Sequence, residues 1–405
     1  MAEGSQRYLA YAKETTAGIP ITSALQKLRN TGGSGIANER TSITSNEIRD
    51  DRAIVVSRLG NNQPNLNIPM EFSYGSYEDF MAAALGHNTT WAAVAYTAAA
   101  GSIVGTVVVD EDEKTMVLTS LSWHTLGLRV GDKVTFSGFI VSTGANNGTY
   151  VVTYMSTTAT DNDTITLGDA VGLVDETGAT GTVTCAQATA ITDITCGVVD
   201  TSFTIEEGFT DLTVPQYQYI AGGYVSSWNM SIQPDAVVTG GFDLQGMVYG
   251  ALSATKLVTG GATDISNVNN IFDTYTGVMY IDGLTETCIV TGLDFTLDNA
   301  LNRRYSLMDK DACSVGQGRT NVTGTINAFF DSPTMSALFN EETEFKMSIR
   351  LEDLDGNSYV IGFPKVKLTS DGKDVSENDV TQTLNFQALG GDDDTTMYIR
   401  KQATA

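Results

Sequence analysis

The sequence predicts a mainly β protein with two tandem β-sandwich domains, each with one flanking helix, and a small all-β domain inserted into the first. Two observations lead to this fold class. A strand–turn–helix pattern occurs twice, in residues 64–86 and 320–340, and the matching segments that follow are spaced differently in the two copies. At 405 residues the chain is also too long for a single hydrophobic core, so more than one domain is expected.

The first copy of the pattern begins with a strand. Apolar and polar residues alternate from Leu66 to Tyr74, which is typical of a strand with one buried face. Ser76, with Asp79 three residues later, resembles a capping box. The pattern therefore predicts that Ser76 is the N-cap of a helix of about three turns that ends at Gly86.

The spacing of the two copies reveals an insertion. Asn65 matches Asn321 at an offset of 256 residues, whereas Ile205 matches Ile349 at an offset of only 144. The difference of 112 residues is extra length that the first copy carries between its helix and its next strand. Residues 91–198 have the composition of a separate unit, with short apolar runs among Thr, Val, Gly and Asp, and they account for this length.

The sequence thus predicts a discontinuous first domain. The predicted division is 1–90 with 199–250 as the first sandwich, 91–198 as the inserted domain, 251–273 as a linker, 274–390 as the second sandwich and 391–405 as a C-terminal tail. Within the first sandwich, the Gly222-Gly223 pair in a long apolar run predicts a β-bulge.

Composition excludes several functions. The 48 acidic and 23 basic residues give a net charge of −25, which argues against tight binding to nucleic acid. The four cysteines show no CxxC spacing and are predicted to be reduced thiols. Only His87 and His124 are present, so a His-rich metal site is impossible. No apolar run approaches the roughly 20 residues of a membrane helix, and the N-terminus lacks the apolar core of a signal peptide.

The acidic motifs do not predict an active site. Glu206 and Glu207 are neighbours in a predicted strand, so their side chains point to opposite faces. Residues 353–357 (DLDGN) resemble the start of a calcium loop but lack its downstream Glu, and a hairpin turn is the better interpretation. We therefore expect no catalytic residues, cofactor or metal, and an enzyme is the least favoured class.

Five segments together resemble the tail tube (major tail) proteins of long-tailed phages. They are SNEIRDDR at 45–52, IPMEFSYGSYEDFMAAAL at 68–85, SFTIEEGF at 202–209, VVTGGFDLQG at 237–246, and LQKLRNTGGSGI at 25–36, which is similar to the long first loop of that family. The resemblance implies sandwich subunits that join edge to edge in rings of six, with the inner sheets forming one β-barrel around a lumen. The rings stack into the tail tube, the conduit for DNA delivery.

For a duplicated chain, the resemblance implies trimeric rings with pseudo-sixfold symmetry. The expected partners are other copies of the chain and the tail terminator, tape measure and tail tip proteins, with no membrane and with DNA passing through the lumen without tight binding. The expected location is the virion tail, after assembly in the host cytoplasm. The inserted domain is expected on the outside of the tube, because in the lumen it would block passage.

Two groups of residues are candidates for assembly. The long loop 14–45 carries Lys27, Arg29 and Arg40, which we expect at the contact between rings. Glu71 and Asp243 alternate with apolar neighbours and are the candidates for an acidic lumen lining, which would repel phosphates.

The alternative is a binding module. A virion-surface decoration or host-attachment protein could use the inserted domain to bind carbohydrate, with Trp91, Trp123 and Tyr150 stacking on sugars. Packing of these aromatic residues in the protein core is the other interpretation.

Overall fold

The computed structural model of the chain describes residues 3–33, 35–48, 50–51, 56–87, 90–94, 102–103, 106–119, 123–124, 126–139, 144–156, 163–168, 172–176, 183–265, 269–282, 290–377, 379–391 and 395–404. Within these residues the fold is mainly β, as predicted, with two short α-helices and one 3₁₀ turn at Gly4–Gln6. None of the described helices has the length and hydropathy needed to span a membrane.

The strands and helices fall into four groups along the chain. The first group is β1 (Arg7–Lys13), β2 (Gln26–Leu28), β3 (Ala37–Glu39), β4 (Ser42–Thr44), β5 (Ser57–Leu59), β6 (Gln63–Glu71) and α1 (Glu78–Ala84). The second is β7 (Ala92–Ala93), β8 (Ser102–Ile103), β9 (Thr106–Asp110), β10 (Thr115–Thr119), β11 (Lys133–Ser137), β12 (Gly148–Met155), β13 (Asp163–Gly168), β14 (Val183–Gln187) and β15 (Ile191–Thr195).

Two further groups complete the chain. The third group is β16 (Phe203–Phe209), β17 (Gln216–Ile232), β18 (Thr239–Gln245) and β19 (Val248–Ser253). The fourth is β20 (Val278–Ile281), β21 (Val290–Asp298), β22 (Asn302–Tyr305), β23 (Ala312–Gly316), β24 (Asn321–Phe329), α2 (Thr334–Asn340), β25 (Phe345–Glu352), β26 (Ser358–Val375), β27 (Val380–Ala388) and β28 (Tyr398–Gln402). We call groups one and three the first half, group two the module and group four the second half.

The two halves share one order of antiparallel pairing. In the first half the neighbours run β1–β16–β17–β18–β6–β3, and β17 also pairs with β19. In the second half they run β20–β25–β26–β27–β24–β21, and β26 also pairs with β28. Each half also has a separate hairpin, β4–β5 or β22–β23. The duplicated sequence pattern therefore has a counterpart in the strand pairing.

The long strand β17 belongs to two sheets. Its N-terminal part pairs with β16 and β19, and its C-terminal part pairs with β18. The register against β16 shifts between these parts, at the bulge that the sequence predicted for Gly222-Gly223. Gly222 has φ +64°, a left-handed conformation that a residue with a Cβ adopts only with strain. The bulge lets one strand serve both sheets.

Aromatic rings hold helix α1 against both sheets of the first half. The Phe80 ring lies 4.7 Å from that of Phe203 in β16 and 5.6 Å from that of Phe242 in β18. In β6, Leu66, Ile68 and Met70 are buried and alternate with more exposed residues, which confirms the predicted period-two strand.

The predicted cap of this helix is wrong. Helix α1 begins at Glu78, its N-cap is Tyr77 without a side-chain cap, and it has seven residues, about two turns. The Ser76 hydroxyl instead lies 2.7 Å from that of Ser73. The Asp79 carboxylate, which would have completed the box, accepts hydrogen bonds from Lys13 and Tyr11. Tertiary contacts have therefore replaced the local capping pattern.

The module has its own core but is bonded to the second half. Seven of its strands form a separate sheet in the order β8–β14–β11–β12–β13–β10–β9. Arg350 donates to the Gly131 backbone oxygen at 2.7 Å, and buried Arg400 pairs with buried Asp132. Strand β15 pairs with β28, so the predicted C-terminal tail contains a strand of the main sheet.

The three cysteines that the structure describes are free thiols, as predicted. Cys185 is buried, Cys196 is partly buried and Cys313 is exposed. Cys288 lies outside the described residues. The His87 ring nitrogen is 3.0 Å from the Thr195 backbone oxygen, a contact that fits a packing role for this histidine.

Candidate assembly surface

One sheet runs through both halves of the chain. Strand β17 of the first half pairs with β21 of the second, from Ser227 opposite Asp298 to Ile232 opposite Leu293. The strands β3, β6, β18, β17, β21, β24, β27 and β26 are therefore consecutive antiparallel neighbours. This continuous sheet is the main candidate for a functional surface, and it has two distinct faces and two ends.

The face of this sheet turned away from the core is polar. Its side chains carry amides, hydroxyls and carboxylates. They include Asn65, Asn67, Glu71, Ser227, Asn229, Asp243, Asp294, Thr296, Asp298, Asn321, Thr323, Thr325, Asn327, Lys367, Thr383, Asn385 and Gln387. The opposite side chains of the same strands, such as Leu244 and Phe386, are buried in the core.

Polar side chains on this face bond to one another across the strands. Asp243 accepts hydrogen bonds from Asn67 and from Ser227, both at 2.7 Å. In the second half, Asn385 accepts from Thr325 and donates to Ser370, both at 2.8 Å. These four hydrogen bonds join polar side chains of neighbouring strands across the face.

The structure brings the two predicted lumen residues to this face. Glu71 lies opposite Thr239 and Asp243 lies opposite Asn67, so both carboxylates are on the polar side of the same strand pair. Glu71 is exposed and Asp243 is partly buried. That they line a lumen remains a prediction.

The sheet has an open edge at β26. In the first half, residues 227–232 of β17 pair with β18 on one side and with β21 on the other. The corresponding part of β26, Leu368–Val375, pairs with β27 on one side. Among the described residues, no strand pairs with its other side. An open edge of this kind is a site for pairing with another chain.

The other end of the sheet is formed by residues 30–33 and 35–37, which correspond to part of β21. The register establishes this, because Ala37 lies opposite Asn65 as Asp298 lies opposite Asn321. The Thr31 amide donates to the Pro69 oxygen at 3.2 Å, so this segment runs beside β6.

A buried carboxylate fixes this end segment. Glu207 is fully buried, accepts a hydrogen bond from the Ile36 amide at 2.9 Å and pairs with Arg7 at 2.5 Å. Gln218 donates to the same carboxylate at 2.6 Å. The Glu207 side chain therefore fixes Ile36, near the end of this segment.

The neighbouring carboxylate points the other way, as the strand period predicts. Glu206 accepts from the Tyr8 hydroxyl at 2.8 Å and from the Leu257 amide at 2.6 Å. Burial, with Glu206 as a hydrogen-bond acceptor, raises the pKa of Tyr8 far above its usual range. These two acids have structural partners and do not converge on a common site.

The three basic residues predicted at the ring contact all have partners within the chain. Lys27 pairs with Asp264 at 2.6 Å, Arg29 donates to the Asn269 oxygen at 2.8 Å, and Arg40 donates to the Gly60 oxygen at 2.9 Å. Lys27 and Arg29 line the same cavity, whereas Arg40 lies at the base of the β4–β5 hairpin. That they contact a neighbouring ring remains a prediction, and the sequence pattern did not indicate the sheet edges.

The aromatic residues suggested for sugar stacking are packing residues. Trp123 is fully buried, Tyr150 is nearly so, and Trp91 is partly buried under the Lys401 ammonium group at 4.9 Å. None of the three presents an open ring for a carbohydrate. This removes the observation on which the carbohydrate-binding alternative depended.

The acidic turn is a hairpin turn, as predicted. The Asp353 carboxylate accepts the backbone amides of Asp355 and Asn357 between β25 and β26. In the part of the chain that the structure describes, no three His, Cys, Asp or Glu side chains are grouped as metal ligands would be.

Comparison with known proteins identifies the family. No curated protein matches the chain. A family model described as phage tail tube protein matches residues 4–388, nearly the whole chain. The β-rich fold of the chain agrees with this match. The chain therefore belongs to the phage tail tube protein family, and it is a structural protein of the virion tail.

Proposed function

We propose that three copies of this chain form a ring with pseudo-sixfold symmetry, and that stacked rings form the tube through which DNA is delivered. One observation carries the proposal. The β17–β21 pairing already joins two equivalent halves inside the chain, and one further copy of each side of that junction has no strand partner on its open edge among the described residues. Pairing Leu368–Val375 with residues 30–37 of the next copy would repeat the junction and close a ring.

The strand count supports a closed barrel. Each half contributes four strands to the continuous sheet, so the six halves of three chains would give a barrel of about 24 strands. A barrel of that size encloses a wide channel rather than a packed interior.

The polar face would then line the lumen. Its charged residues are mainly carboxylates, including Glu71, Asp243, Asp294 and Asp298, and Lys367 is a cation on the same face. Neutral amides and hydroxyls fill most other positions. Such a wall has few cations that could neutralise phosphates and release the counterions of DNA. DNA would therefore slide through without binding.

The remaining assembly contacts belong to the same proposal. Contacts between rings would involve the loop that carries Lys27, Arg29 and Arg40, and the tube would meet the tail terminator, tape measure and tail tip proteins. Assembly would take place in the host cytoplasm. The module would lie outside the tube. It is attached to β28, which lies on the side of β26 opposite the open edge of the continuous sheet, and this attachment is compatible with an outer position.

The proposal is tested by counting chains in a ring. Full-length purified protein is assembled, imaged by negative-stain electron microscopy and analysed by native mass spectrometry. We expect hollow rings or tubes whose masses are multiples of three chains. Rings of six chains, or no hollow assembly in either the protein or virion tails, would overturn it.

A further inference from the structure

The β22–β23 hairpin shows how the two halves are fastened beside their shared sheet. Arg303 donates to the Gly246 oxygen of the first half at 2.8 Å, and the Tyr305 hydroxyl donates to the Asn62 oxygen at 2.8 Å. Val315 of this hairpin is 7% exposed, in a cluster with Tyr224 and Met247 of the first half. The hairpin thus buries an apolar side chain on the preceding half.

The equivalent hairpin of the first half, β4–β5, has exposed apolar residues. Ile43 and Leu59 are each 60% exposed, Val56 is 50% exposed and Ile48 is 98% exposed. Leu59 precedes Val315 by 256 residues, the offset that relates Asn65 to Asn321, so the two residues are counterparts. Val315 is buried against the neighbouring half, whereas Leu59 has no neighbouring half within the same chain.

We propose that the β4–β5 hairpin docks through Leu59 on the second half of a neighbouring copy, beside Pro364 and Gly390. The inference rests on the proposed ring and names a contact within it. Gly390 follows Gly246 by 144 residues, the offset between the matching later strands. Pro364 is the counterpart of Tyr224, because it follows Tyr224 by 140 residues, the offset that also relates Tyr219 to Tyr359.

The acceptor surface is open in the single chain. Gly390 is exposed, and a Cβ placed on it would meet no atom of the described residues within 4 Å. A Cβ on its counterpart Gly246 would come within 2.1 Å of Ile220. Among the described residues, the second half therefore has open space at Gly390, the counterpart of the Gly246 whose backbone oxygen Arg303 bonds in the first half. A second copy of this chain is the occupant that fits, because the chain already contains the same contact between its own halves.

Cross-linking tests the contact in the full chain. Leu59→Cys and Gly390→Cys are combined in a background with Cys288→Ser and Cys313→Ser, which removes the exposed Cys313 thiol and the thiol outside the described residues, and assembled protein is treated with a short bismaleimide. We expect covalent dimers and trimers on denaturing gels. The matched control combines Gly390→Cys with Val174→Cys, whose side chain is 40% exposed on the module, and should give none.

A charge substitution provides a second measurement. Leu59→Glu should raise the concentration needed for ring formation at least tenfold while the melting temperature of the monomer is unchanged, and Val174→Glu should do neither. If wild-type rings form but the Leu59 variants neither cross-link above the control nor lose assembly, the hairpin contact is wrong and the ring proposal stands. If the wild-type protein forms no rings, both are overturned.

Discussion

The side-chain amide of Asn299 donates to the backbone oxygen of Ala84 at 2.9 Å, across the junction between the two halves of the chain. The same amide donates to the Val225 oxygen at 3.1 Å, and Asn299 is 5% exposed. It thereby satisfies the carbonyl of the last residue of α1, a group that would otherwise lack a partner.

Replacing this amide should loosen the junction. Asn299→Ala removes both of these hydrogen bonds, together with the one that the Asn299 Oδ1 accepts from Thr320 at 3.0 Å, so we expect the free energy of unfolding to fall by about 2–3 kcal/mol. Urea denaturation of the monomer measures it. Asn327→Ala, on the polar face, is the control and should change stability by less than about 1 kcal/mol. An equal loss in both variants would contradict a special role for Asn299.

Assembly should protect the two sheet edges from hydrogen exchange. In the monomer, the amides of 370–375 that point away from β27 lack a strand partner among the described residues, and in the ring they should pair with the segment 30–33 of the next copy. We expect exchange at both segments to slow by about tenfold or more on assembly. The Leu354–Gly356 turn is the internal control. Assembly without protection at either edge would exclude this pairing.

The module should be held to the second half mainly by its buried ion pair. Asp132→Asn leaves the buried guanidinium of Arg400 without its full counter-charge, and we expect a loss of about 3–5 kcal/mol. Lys133→Gln removes a more exposed pair with Glu352 at 3.8 Å and should lose about 1 kcal/mol or less. Thermal unfolding with limited proteolysis at the module boundary measures both. Equal effects would argue against the pair as the main attachment.

Reversing charge on the polar face should make the tube hold DNA. Glu71 is exposed, so Glu71→Lys should leave monomer stability nearly unchanged. In tubes, each substituted residue adds a cation where the wall was acidic, and DNA retention should rise and should fall steeply with added salt.

Nuclease-protected DNA in washed tubes is the quantity to measure. Glu111→Lys, at an exposed turn of the module, is the matched control and should not increase the protected fraction. No difference between the two variants would place Glu71 outside the lumen.

The sequence was most informative where local pattern and tertiary packing agree. The β6 alternation and the bulge at Gly222 follow from side-chain period and backbone freedom, and both are present. The prediction that Ser76 caps the helix was wrong because the Asp79 carboxylate accepts hydrogen bonds from Lys13 and Tyr11, which are distant in sequence.

The assembly surface was predicted only in part. Alternation with apolar residues was enough to select Glu71 and Asp243, which do share a polar face. The β17–β21 junction and the Arg400–Asp132 pair join segments that are about 66 and 268 residues apart, and no local signal marks such pairings.

The central claim is that the junction inside the chain is repeated between chains. A cryo-electron microscopy map of the assembled tube, at a resolution that separates strands, tests it directly. We predict three chains per ring, with Leu368–Val375 of each chain antiparallel to residues 30–37 of the next, in the register of β17 on β21. A ring whose chains meet through any other pair of edges would contradict the account.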